Sequence, residues 1–151
     1  MEALFKALKT SRGLYAAFFD NYTLEQLNRV PPGFSNNLAW NIGHIIVAQQ
    51  ALVYRGSGVP MHISEELFDR YKPGTKPAAD LTQGEADELR VLLHSLALQT
   101  EQDYEAGRFS TYQERTTATG FHLASLQDAL VFNNYHEGIH LGLMMAIRKF
   151  V

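Results

Sequence analysis

Ser125 to Lys149 reads SLQDALVFNNYHEGIHLGLMMAIRK, and its periodicity decides the fold. Ser125 is an N-cap residue. Asp128 falls in the first turn, where a helix favours negative charge, and Arg148 and Lys149 fall at the negative end of the dipole. The run predicts one long helix from near Ser125 to about Lys149. At ~100° per residue, His140 lies about 40° round the wheel from His136. Ala129, Asn133, Leu143 and Ile147 fall within about 60° of the same direction. Both histidines therefore share a face with apolar residues, the expected core face. Side chains at i and i+4 stand one above the other, so this pair can hold one ion.

The rest of the chain repeats the helical pattern. From Glu2 to Tyr22, Leu4, Leu8, Tyr15, Phe18, Phe19 and Tyr22 follow helical spacing. Thr23-Leu24-Glu25-Gln26 resembles a capping box for a short turn, which Pro31-Pro32-Gly33 ends. A second long helix is expected from Ser35, with Leu38, Ile42, Ile45, Leu52 and Val53 on its buried side and Gly56 and Gly58 at its end. Thr82-Gln83-Gly84-Glu85 opens a third, with Ala86, Leu89, Leu93 and Leu96 as its stripe and Gly107 as its stop.

Between the second and third helices runs a connection from about Ser57 to Leu81, with a short helix at Ser64–Tyr71. It is too long for a plain bundle turn, so those two helices need not be adjacent antiparallel neighbours. Arg108–His122, with its threonine cluster, reads as extended loop or a short hairpin turning at Gly120. Four long helices without a convincing strand predict an all-α fold, a four-helix bundle in a single domain over 1–151.

Composition narrows the function. The chain is 46% hydrophobic and carries a net charge of −3, so the basic face of a nucleic-acid binder is not expected. It has no cysteine, which removes disulfides, thiolate ligands and a cysteine nucleophile. Neither a signal peptide nor a membrane span is legible, and a cytoplasmic location is the expectation.

His136-Glu137-Gly138-Ile139-His140 spells H-E-x-x-H, a zinc-protease motif on a helix. Such proteases take a third ligand downstream, and no His, Asp or Glu follows His140. The third ligand is therefore sought upstream, and His44 is the best placed. Asn37, Trp40, Asn41, Ala48 and Ala51 share its side of the second helix. Asn37, Asn41 and Asn133 are expected to offer hydrogen bonds to the second ring nitrogens. The alternative for each histidine is a core residue with one hydrogen bond. Two buried imidazoles without a metal would need several polar partners. Glu137 is either a base near metal-bound water or a helix-surface carboxylate. Arg55, on the His44 side, either meets an anionic substrate or lies on the surface. Gly138, Gly142 and Ala146 recur opposite the histidine face, with the glycines costing about 1 kcal/mol each; they serve tight packing within the bundle or a dimer seam. His62, His94 and His122 receive no role.

Asn37-Leu38-Ala39-Trp40-Asn41-Ile42-Gly43-His44 together with His136-Glu137-Gly138-Ile139-His140-Leu141-Gly142 resembles the DinB-like family of metal-binding four-helix bundles. Helix order, the long link and chain length also fit. The resemblance implies one divalent metal on His44, His136 and His140, zinc or nickel foremost and iron or manganese next. It implies a homodimer, and reactions ranging from metal-dependent hydrolysis to transfer with a low-molecular-weight thiol. The small-molecule substrate is not specified. The alternatives are a non-catalytic metal-binding bundle and a small-ligand or partner-binding module of a stress response. No nucleic-acid or membrane partner is expected. The connections Ser57–Leu81 and Arg108–His122 are the expected lids over the metal.

Overall fold

The computed structural model describes residues 1–151. In chain order its helices are α1 (Glu2–Asn21), α2 (Leu24–Asn28), α3 (Leu38–Val53), α4 (Glu65–Tyr71), α5 (Gln83–Glu105) and α6 (Leu126–Ile147). Strands β1 (Arg115–Thr116) and β2 (His122–Leu123) lie between α5 and α6. The protein is thus mostly helical, and the hairpin is its only sheet. Arg115 pairs with Leu123 and Thr116 with His122, and the turn between them uses Gly120 at φ 89°. No helix is long and apolar enough to cross a membrane.

The helix starts follow local chemistry. Both capping boxes form: Thr23 with Gln26, and Thr82 with Glu85, exchange reciprocal side-chain and backbone bonds. Ser64 and Ser125 cap α4 and α6. The second long helix, α3, differs from expectation. It starts at Leu38, capped by Asn37, and not at Ser35. Asn37 Oδ1 accepts the Trp40 amide at 2.7 Å while its Nδ2 donates to the Asn28 carbonyl at 2.7 Å. One side chain both closes the helix end and ties it to α2.

α3 is the central helix. Every residue from Leu38 to Val53 is buried except Ala51, which is half-buried. The expected apolar stripe was too narrow because α3 is covered on all sides. It packs on α6, α5, α2 and α4, while α1 packs on α5 and α6. α3 and α5 are therefore in contact despite the long link between them. The larger core cluster gathers Tyr15, Leu38, Ile42, Ile45, Leu89 and Met144. A smaller one joins Phe5, Leu8, Tyr54 and Leu130.

α4 presses on α3 through an unusually close contact. A Cβ on Gly43 would stand 2.5 Å from the Tyr71 ring, so glycine is what admits that ring. Tyr71 is the last residue of α4 and lies next to His44 in space.

Candidate metal centre

α3 and α6 bring His44, His136 and His140 together, with one ligand atom of each within 4.8 Å of the others. His44 Nδ1 lies 2.7 Å from the Tyr71 carbonyl. A carbonyl only accepts, so His44 carries its proton on Nδ1 and leaves the Nε2 lone pair free. His140 Nδ1 lies 2.7 Å from Asn41 Oδ1. The Asn41 amide nitrogen donates to the Asn37 carbonyl and to Asn36 Oδ1, which fixes its oxygen toward His140. His140 therefore donates from Nδ1 and also presents Nε2. Trp40 stacks on His44, ring centres 4.6 Å apart and planes 11° from parallel. Its indole N–H is anchored by Thr75 Oγ1 at 3.1 Å.

These residues fit a metal. His44 Nε2 and His136 Nε2 stand 3.4 Å apart. Two nitrogens ~2.1 Å from one tetrahedral ion would be ~3.4 Å apart. His136 Nδ1 is buried with no protein partner. Burial pushes all three imidazoles below their ordinary pKa, His136 to about 4 and His140 to about 3, with repulsion from the neighbouring histidines adding to it. For His44 the Tyr71 hydrogen bond opposes the effect of burial without cancelling it. At neutral pH all three are uncharged and available as ligands.

The expected second ring partners are met in part. Asn41 orients His140, but Asn37 is occupied as a cap, and Asn133 donates to Glu137 Oε1 at 2.9 Å. The Tyr71 carbonyl, a backbone group supplied by α4, leaves no signal in the sequence.

The structure does not bring Glu137 to the histidines, which corrects both readings of it. Its carboxylate is fully buried against Arg12, itself 1% exposed, with Nη2 to Oε1 at 2.8 Å and Nε to Oε1 at 3.1 Å. Tyr15 adds a hydrogen bond to the Glu137 carbonyl at 2.6 Å. Glu137 is thus neither on the surface nor free to take a proton from metal-bound water; it ties α6 to α1. The buried residues of α6 are Ala129, Leu130, Asn133, Glu137, Met144 and Ile147, centred about 70° round the helix from His136. The histidine pair sits at the edge of the core face, half-buried, and not at its centre. Arg55 is likewise elsewhere: it stacks on the Phe68 ring at 4.1 Å and pairs with Glu65 on the surface.

The edge position opens on a cavity of about 400 Å³. His44 and His136 form its floor, Ala48, Ala51, Leu52 and Phe132 its apolar side. Pro73 and the hairpin segment Arg115–Thr119 complete its lining, so both long connections contribute. Arg115 was not singled out in the sequence; the signal was one basic residue beside a threonine cluster with no acid within it.

The sequence pattern of the DinB superfamily matches residues 7–144. The chain belongs to the DinB superfamily. A comparison with curated proteins finds no match. Superfamily membership agrees with the imidazole cluster, and the two DinB-like sequence blocks are the ones that supply it: the first gives His44 with Trp40 and Asn41, the second His136 and His140.

Proposed function

We propose that the protein is a metal-dependent DinB-type enzyme, in which His44, His136 and His140 bind one divalent ion and the adjoining cavity receives the substrate. The observation that carries this reading is the pair of preset Nε2 lone pairs, held by Tyr71 and Asn41, converging with His136 at the cavity floor. An all-imidazole set suits zinc or nickel foremost, and iron or manganese next. It adds no negative charge, so a bound ion would act as a Lewis acid with positions left for water, thiolate or substrate.

Transfer onto a low-molecular-weight thiol is favoured over hydrolysis. No Asp or Glu lines the cavity, and Glu137 is sealed against Arg12, so no protein carboxylate stands ready to deprotonate water. A thiol, with a pKa near ~8.5, needs far less help to become a nucleophile. The chain's own contribution is positional. Asn41 and Tyr71 hold two rings, Trp40 backs His44, and the hairpin contributes one side of the cavity. The reading includes the four long helices as one bundle domain, a cytoplasmic location, and a homodimer with a seam along α6.

Metal analysis of the purified protein beside the His140→Ala variant tests the centre. About one equivalent is expected in the wild type and strong depletion in the variant; equal content in both would sink the assignment. Metal-loaded protein would then be screened with thiol-plus-electrophile pairs and with simple esters and amides. Thiol transfer lost on chelation is the expected result. Turnover that survives chelation would count against a metal mechanism, and no turnover at all would leave a metal-binding scaffold.

A further inference from the structure

The cavity beside the histidines has one charged residue in its lining, Arg115, and nothing to neutralise it. Arg115 takes part in none of the molecule's ion pairs. Its sequence neighbour Glu114 is paired instead with His122, at 3.2 Å. Arg115 is itself exposed and lines the cavity from the hairpin. It is the cross-strand partner of Leu123, and partners in an antiparallel pair point to the same face. Leu123 is 2% exposed, so the Arg115 side chain, though exposed, stands on the hairpin face that meets the body of the protein. Thr116, Thr117 and Thr119 of the same hairpin also line the cavity, while α3 and α6 contribute the apolar Ala48, Ala51 and Phe132. The cavity is thus polar and cationic at the hairpin, apolar along one side, and imidazole-lined at the floor.

We propose that this cavity takes a small molecule with an apolar body and a terminal carboxylate, Arg115 receiving the carboxylate while the opposite end of the ligand reaches the three histidines. The planar guanidinium fork matches a carboxylate, and no acid in the lining competes for it. Arg115 is then the residue that selects the substrate. A divalent ion on neutral imidazoles strengthens the preference for an anion. The proposal rests on the metal reading above, and its test keeps the two apart.

The probes are succinate and adipate monohydroxamates, compared with the same hydroxamates whose carboxylate is an amide. The hydroxamate end reports on the metal and the other end on Arg115. Binding is measured by calorimetry on zinc-loaded protein of verified metal content, for wild type and Arg115→Gln. At least one acid is expected to bind about tenfold more tightly than its amide. That preference is expected to vanish in the variant, whose metal content and helical circular dichroism stay unchanged. Equal binding of acid and amide in the wild type overturns this proposal and leaves the metal reading standing. An acid preference that persists in Arg115→Gln overturns the assignment of Arg115. Failure of the wild type to load zinc overturns the metal reading, whereas binding of neither probe to the loaded protein overturns this proposal alone.

Discussion

Glu137 and the two histidines beside it show how far one residue's surroundings are legible. The wheel placed His136 and His140 on an inward face, and they are inward, because i and i+4 spacing is a property of the helix alone. It could not place Glu137, because the partner that draws it in, Arg12, lies 125 positions away. The clue was in α1: Leu8, Arg12 and Tyr15 share one buried line, with a charge where an apolar residue belongs. Removing one partner of a buried pair strands the other, so Arg12→Met is expected to cost about 3–5 kcal/mol. The double variant Arg12→Met/Glu137→Met is expected to recover a large part of that loss. Urea unfolding of both checks it, and a double variant no more stable than the single would refute the pairing as the cause. The histidines predict a pH dependence. In the unfolded chain they titrate near 6.5, in the folded one His136 at about 4 and His140 at about 3. Between those values the unfolded chain binds protons that the folded chain refuses, so stability falls as pH drops from 7 to 5. The expected loss in chelator-treated protein is about 2 kcal/mol for each imidazole. His136→Gln should flatten the slope of unfolding midpoint against pH; an unchanged slope would contradict the assignment.

Among the elements, those with self-contained signals were read well. Capping boxes announce α2 and α5 because both partners lie within one turn. α3 was misplaced at its start because Ser35 and Asn37 are both capping residues, and only the tie from Asn37 to Asn28 decides between them. Its burial on all sides had a signal that went unused: no charged residue occurs from Leu38 to Tyr54. The contact between α4 and α3 was not legible, since it rests on a missing side chain. Gly43→Ala would force the Tyr71 ring away and with it the carbonyl that holds His44. Overpacking of ~1–3 kcal/mol should outweigh the gain in helix propensity of about 1 kcal/mol. Zinc affinity should fall as well. Gly138→Ala, where a Cβ meets nothing within 4 Å, should instead stabilise α6. Denaturant unfolding and zinc titration of the two variants distinguish them, and equal behaviour would dismiss the role given to Gly43.

On the scale of the whole molecule, the helical class and the His136–His140 pair were readable from periodicity, His44 from the lack of a ligand after His140 and from the DinB-like resemblance, whereas the cavity was not. Its walls come from α3, α6, the α3–α5 link and the hairpin, and no local pattern specifies how four segments meet. The outer side of α6 is open: Val131, Tyr135 and Met145 are about half exposed around Gly138 and Gly142. The glycines therefore do not serve tight packing within this chain. If that face is the dimer seam, Met145→Glu should convert a dimer to a monomer in light scattering without loss of helix, and an unchanged dimer would place the seam elsewhere. One contact gives the molecule an optical property. The chain has a single tryptophan, and it lies flat against His44. All of its indole emission therefore originates beside the three-histidine site. A paramagnetic occupant such as nickel would quench that light and a closed-shell one such as zinc would not. The unlabelled protein carries its own lamp, and its brightness would tell nickel from zinc.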